Sequence, residues 1–187
     1  MRRFRIVAFT LPALLLAGAV MAQQKKVAEK PKTEGAKDKV EVVLAAGAEK
    51  TKAVATVWAT NINPTMTFSI PLKFMAQDSA WVDSVSFADT RAGYFEPKGW
   101  KFHPEQNALM ILMMAPAKDK KFKHLEPGTG KIARIYLSCK TQFPMESFRM
   151  GPVTLPPSNT LMFVTDANAK AEPVFEFRLE GAPPPKK

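Results

Sequence analysis

Residues 66–91 constrain the fold more tightly than any other stretch of this 187-residue chain. Met66, Phe68, Ile70, Leu72 and Phe74 alternate with Thr67, Ser69, Pro71 and Lys73. A period of two marks a strand with one buried face. Trp81-Val82-Asp83-Ser84-Val85-Ser86-Phe87 repeats the alternation and places Trp81 in phase with Val85 and Phe87, on the core side. The turn-rich link 75–79 is expected to return this second strand against the first, as in a hairpin.

The rest of the chain reads in the same way. Segments 53–60, 90–94, 99–102, 108–114, 131–140, 146–150, 161–165 and 174–179 are strand candidates, punctuated by Asn61-Ile62-Asn63-Pro64, Glu96-Pro97-Lys98-Gly99 and similar turn chemistry. The continuous apolar run 108–114 predicts a strand buried on both faces. In 131–140, Ala133, Ile135, Leu137 and Cys139 are assigned inward, and Tyr136, Ser138 and Lys140 outward. Ahead of that strand, Gly128 and Gly130 are expected to supply turn conformations at the end of a long loop, 116–129. Segment 40–50 admits a short helix, through Ala45, Ala46 and Ala48, or a first strand over 40–44. Elsewhere downstream of the N-terminal leader no segment sustains a 3.6-residue period. The fold class is therefore all-β, an antiparallel jelly-roll/immunoglobulin-like β-sandwich of about nine strands.

The N-terminus sets the compartment. Arg2, Arg3 and Arg5 precede an apolar run from Ile6 to Ala19 that ends in Val20-Met21-Ala22. That run is about 14 residues, short of the roughly 20 needed for a membrane-spanning helix, and it has the small residues of a cleavage site. Residues 1–22 are expected to be a signal peptide, residues 23–39 a flexible Lys-rich linker, 40–180 the folded domain and 181–187 a Pro/Lys tail. The protein is expected to be exported to the periplasm or the cell exterior, with no transmembrane span after cleavage.

Charge narrows the partner class. The formal net charge is +10, but most of the excess belongs to the leader, linker and tail, and 40–180 has 16 basic residues against 14 acids. Nucleic-acid binders concentrate a basic stripe on the folded surface, so no nucleic-acid partner is expected. Cys139 is the only cysteine. An internal disulfide is thereby excluded, and the residue reads as a small buried hydrophobe.

Several blocks resemble cohesin-like domains of secreted bacterial proteins: Ile70-Pro71-Leu72-Lys73-Phe74; Asp83-Ser84-Val85-Ser86-Phe87 with Arg91 and Tyr94-Phe95; residues 127–137 from Pro127-Gly128-Thr129-Gly130 onward; and Pro156-Pro157-Ser158-Asn159-Thr160-Leu161. The resemblance spans residues 53–179. It implies a nine-stranded jelly-roll sandwich, shared with carbohydrate-binding modules, and a noncatalytic binding role. Cellulosomal members of that family hold dockerins on one sheet face, and no motif here transfers those contacts residue by residue.

Chemical constellations are absent from the sequence. Gly128-Thr129-Gly130-Lys131 resembles the end of a phosphate loop, which would require Gly at position 125 and Ser or Thr at 132, where Leu125 and Ile132 stand. His103, His124 and Cys139 cannot close a zinc site of usual spacing. Asp166-Ala167-Asn168-Ala169-Lys170 begins like a calcium loop, but Lys170 puts a cation where an oxygen ligand belongs; a polar hairpin is expected instead. No catalytic residue, metal or cofactor is assigned. Lys118, Lys120, Lys121, Lys123 and His124 read as a solvated basic loop.

Partly exposed rings remain. Tyr94, Trp100 and Tyr136 are the candidate ligand-binding residues, since flat aromatic faces can carry either a protein or a sugar contact. The expected function is that of an exported, monomeric, noncatalytic binding module. Its partner is another envelope or extracellular protein, or alternatively a polysaccharide.

Overall fold

The computed structural model describes residues 37–75, 80–118 and 121–182, without the side chain of Lys118. The chain divides into two units, 1–34 and 35–187, and every described residue lies in the second. The signal peptide at 1–22, nearly all of the 23–39 linker, the 76–79 part of the link before residue 80, Lys120 and most of the 181–187 tail lie outside the described residues.

Among the described residues, thirteen strands form two main sheets and one small hairpin. They are β1 (Lys39–Ala46), β2 (Lys52–Asn61), β3 (Thr65–Met75), β4 (Ala80–Ser86), β5 (Lys98–His103), β6 (Ala108–Met114), β7 (Ala117–Lys118), β8 (Lys121–Phe122), β9 (Gly128–Cys139), β10 (Arg149–Pro152), β11 (Met162–Thr165), β12 (Lys170–Ala171) and β13 (Val174–Leu179). A five-stranded sheet runs β13-β1-β2-β9-β4. A six-stranded sheet runs β12-β11-β3-β6-β5, with β10 also paired to β3. The two enclose one core, and the fold is an all-β sandwich.

Alternation explains the local structure. On β2, Ala53, Ala55, Val57, Ala59 and Asn61 are buried while the intervening residues are half-buried. Phe68, Ile70, Leu72 and Phe74 of β3 face the same interior, and across the register Met113, Ile111 and Leu109 of β6 stand opposite the first three. The phenylalanines interlock there. Phe68 meets Phe163 edge-on at 4.7 Å between centroids, a favoured aromatic geometry. On β9 a bulge opposite Val57 and Trp58 lets Ile132 and Ala133 both turn inward, because an extra residue on one strand breaks the two-residue phase.

Pairing departs from the sequence expectation. β3 and β4 are not neighbours: β3 pairs with β6, β10 and β11 in one sheet, and β4 pairs with β9 in the other. β1 forms as a strand, not a helix, and pairs parallel with β13, Val42 standing beside Phe177. Residues 90–94 are a turn rather than a strand. Within the long loop, β7 and β8 form a small hairpin and Leu125 bridges Thr65. The strand expected at 146–150 lies at Arg149–Pro152.

Two side-chain assignments also change. A bulge between Val82 and Ser84 puts Val82, Val85 and Phe87 against the core, leaving Trp81 half-buried on the outer side, opposite Ser138. Ser138 itself is buried and donates a 2.6 Å hydrogen bond to Asp83. β6 is fully buried along one face, Leu109, Ile111 and Met113, whereas on the other Ala108 is buried, Met110 half-buried, and Leu112 and Met114 exposed.

Candidate functional site

The outer surface of the six-stranded sheet follows from the register. Residues paired across antiparallel strands project to the same side, so Lys101, Met110 and Pro71 form one row, Gly99, Leu112, Ser69 and Met162 the next, and Met114, Thr67, Val164 and Lys170 a third. Apolar residues dominate the middle of this surface. Leu112 is 40% exposed, Met114 37% and Met75 48%. Gly99, Lys101, Met110 and Leu112 border a shallow hollow of about 350 Å³ beside β5. Ser69 and Pro71 of the same rows are buried, Ser69 donating to the carbonyl of Thr160 at 2.9 Å, so the apolar area open to contact is that of Leu112, Met114 and Met75, flexible side chains of the kind used for protein contacts.

Trp100 stands at the border of this hollow. Its register partner is Ile111, which places it on the inner side of β5, yet it is 39% exposed. β5 is the outermost strand, so no further strand shields the ring.

Tyr94 lies elsewhere, in a corner braced by Arg91. Arg91 donates from Nη1 to the carbonyl of Gly128 at 2.7 Å and to Oδ1 of Asn61 at 3.1 Å, and from Nη2 to the carbonyl of Glu126 at 2.7 Å. Its stem lies on Gly130, where a Cβ would come within 2.3 Å of Arg91 Cδ. Gly130 is thus required by close approach, not by a turn; both glycines sit in β9, and only Gly128 has a positive φ, 148°. Burial pushes the Arg91 guanidinium down from its ordinary value, against the opposing influence of Tyr94. Tyr94 donates its hydroxyl to the carbonyl of His124 at 2.9 Å, and Lys123 Nζ sits 4.7 Å from the ring centroid. Burial and then the charge of Glu126 raise the Tyr94 phenol.

Tyr136, 38% exposed, is on the outer surface of the five-stranded sheet, between Val54 and Ser84. Several charges on that surface are paired internally, while Lys131 and Arg134 have no carboxylate partner among the described residues. Glu41 accepts from Arg178 and lies 3.5 Å from Lys39, which also reaches Glu176 at 3.1 Å. Burial works to raise the Glu41 carboxyl, but the Arg178 hydrogen bond and the Lys39 charge outweigh it and hold the group below the usual carboxylate range. Asp83 behaves alike: burial opposes ionisation, and the hydrogen bonds from Ser138 and Lys52 prevail.

The three ring candidates therefore occupy three separate places, with Tyr94 in the corner, Trp100 at one sheet's edge and Tyr136 on the other sheet. The apolar residues of β6, Met110, Leu112 and Met114, were missed as surface residues because their run reads as a buried strand. A usable signal existed in the strand sequences. No Asp or Glu occurs in β3, β5, β6, β10, β11 or β12, which is unusual for a sheet with a solvated face. Among the described residues no group of three or more His, Cys, Asp or Glu could hold a metal ion, and no helix is long and apolar enough to cross a membrane. The Asp166 to Lys170 segment forms the turn of the β11–β12 hairpin, with Asn168 left-handed at φ 58°. Of the basic loop, Lys121, Lys123 and His124 are described, and His124 contacts Glu126 at 3.2 Å.

No family model and no curated protein matches this sequence. Solved structures do match its fold. The third cohesin ScaC of Acetivibrio cellulolyticus, in complex with the ScaB dockerin, aligns with a TM-score of 0.55 at 14% identity, over 76% of this chain and 97% of its own. The sixth cohesin of scaffoldin B from the same organism, in complex with a Cel5 dockerin, aligns at 0.54 and 13% identity, over 78% and 100%. The seventh ScaB type I cohesin of Pseudobacteroides cellulosolvens aligns at 0.51 and 11% identity, over 80% and 96%. At these identities the likeness is one of fold. The domain has a cohesin-like fold.

Proposed function

We propose that this chain is an exported, noncatalytic protein-binding module that docks its partner on the outer surface of the six-stranded sheet. The observation that carries this reading is the exposure of Met75, Leu112 and Met114 on that one surface, with Trp100 exposed at its β5 edge. Exposed apolar patches of this kind mark interaction sites. The two Acetivibrio cellulolyticus cohesins that share the fold were each solved with a dockerin, which supports a protein partner. The signal-peptide pattern of residues 1–22 supports export to the periplasm or beyond, and the partner is another envelope or extracellular protein. The module acts as a monomer.

Polysaccharide binding is the second reading, favoured by Tyr136 on the flat outer surface of the five-stranded sheet, with Trp81 on the neighbouring strand β4. The two readings put the ligand on opposite sides of the sandwich. Installing a photo-crosslinking residue at position 112 or at 136 in the exported protein separates them. Protein adducts formed at 112, lost on Leu112→Asp exchange in a crosslinker placed at 114, support docking. Retardation in polysaccharide gels that disappears with Tyr136→Ala but not with Leu112→Asp rejects it.

A further inference from the structure

We infer that the surface built by β3, β6 and β5 takes an acidic partner, a protein segment in which an apolar stripe is bordered by carboxylates. This rests on the docking reading above and specifies the chemistry of its ligand. The two outer surfaces of the sandwich differ in the acids they carry. In the five-stranded sheet Glu41, Glu176 and Asp83 neutralise Lys39, Arg178 and Lys52 within the surface. In the six-stranded sheet no strand contains an acid, while Lys73, Lys101 and Lys170 all project outward by register and are exposed.

Geometry makes these lysines part of the apolar surface. Lys101 stands directly across from Met110, and Lys73 pairs with Ala108 one outward position along β3 from Pro71, so it lies diagonal to Met110. Direct and diagonal positions on adjacent strands are about 5 and 7–8 Å apart, within reach of one ligand side chain. Lys170 closes the opposite border beside Val164. Among the described residues none of the three has a carboxylate partner. Toward the β5 end, Glu96 is paired with Lys98 at 2.8 Å and Glu105 lies 3.5 Å from the His103 ring. An apolar centre with unpaired cations at its border is complementary to a segment that offers leucine-like side chains between carboxylates, and it repels one that offers lysines.

The test uses the exported full-length protein and two labelled amphipathic peptides with identical leucine faces, one with glutamates on its flanks and one with lysines in their place. Wild type should bind the glutamate peptide about tenfold more tightly, the size expected of two solvent-exposed ion pairs, and the difference should shrink as salt rises. Lys73→Glu with Lys101→Glu should reverse the order, with the melting curve unchanged. Equal binding of both peptides, or an order that survives the double reversal, overturns the acidic partner and leaves the docking reading intact. Leu112→Asp should abolish both interactions; unchanged peptide binding by that variant sinks the docking reading itself. Phosphatidylglycerol vesicles form a third arm, and binding to them that exceeds the glutamate peptide and is lost in the same variants assigns the surface to lipid and overturns the inference.

Discussion

The two outer surfaces of this sandwich start from the same strand physics and end differently. On the five-stranded sheet the outward positions include Glu41, Thr56, Arg134, Tyr136 and Arg178; Glu41 pairs there with Arg178, Glu176 with Lys39 and Asp83 with Lys52, while Arg134 has no carboxylate partner among the described residues. On the six-stranded sheet they include Met110, Leu112, Met114, Met162 and lysines that have no carboxylate partner among the described residues. The proposed docking surface is the one whose strands carry exposed apolar residues and no acid.

The largest effect should separate inside from outside on a single strand. Ile111→Ala, which empties a fully buried position of β6, is expected to cost about 2–5 kcal/mol. Its neighbour Leu112→Ser, on the exposed side, should change stability by less than about 0.5 kcal/mol. Denaturant midpoints measure both, and comparable losses would mean that the outer side of β6 is packed after all.

A second effect tests the corner that supports both sheets. Gly130→Val must displace the Arg91 stem and is expected to cost about 1–3 kcal/mol, in the range of overpacked sites, because the guanidinium then loses its carbonyl partners. Arg91→Ala alone should relieve the clash, so the double variant should be less than additive. Additive losses would refute the close-approach account of Gly130.

Acid distinguishes the two surfaces next. Glu41 and Asp83 have folded-state pKa values below their ordinary ones, so the stability they contribute is present above the unfolded-state pKa and is lost as pH falls through the depressed folded value. Stability should therefore decline below about pH 4, and Glu41→Gln with Asp83→Asn should flatten that decline. Chemical denaturation at a series of acidic pH values measures it; an unchanged slope in the double variant assigns the acid sensitivity to other carboxylates.

The smallest effect is the most diagnostic for function. Lys73→Ser with Lys101→Ser, and Lys121→Ser with Lys123→Ser, should each leave the melting curve within about 0.5 kcal/mol of wild type. Only the first pair should weaken binding of an acidic peptide. Equal weakening by both pairs would make the interaction a diffuse charge effect rather than one of the sheet surface.

Much of the fold was legible from side-chain periodicity. The buried positions Phe68, Ile70, Leu72, Phe74, Ala133, Ile135 and Leu137 are those that alternation selects. Trp81 was misassigned where a bulge shifts the phase of β4, whereas Ser138 does project outward, opposite Lys52 and Trp81, and is buried there beside Asp83. The site was less legible. Residues 108–114 read as Ala-Leu-Met-Ile-Leu-Met-Met, and a strand apolar on both sides has the same sequence whether a second layer of protein covers it or a partner does.

By itself the sequence determined the all-β class, the inward face of most strands and the N-terminal pattern from which export is proposed, since these depend on backbone period and local composition. Tertiary structure alone decided that β3 and β4 belong to different sheets, that β13 pairs parallel with β1, and that Leu112 and Met114 on the outer side of β6 are exposed. The physical reason is that alternation is a property of one strand, whereas pairing depends on main-chain hydrogen bonds that every residue can make. Exposure depends, in turn, on which layers those pairings bring together.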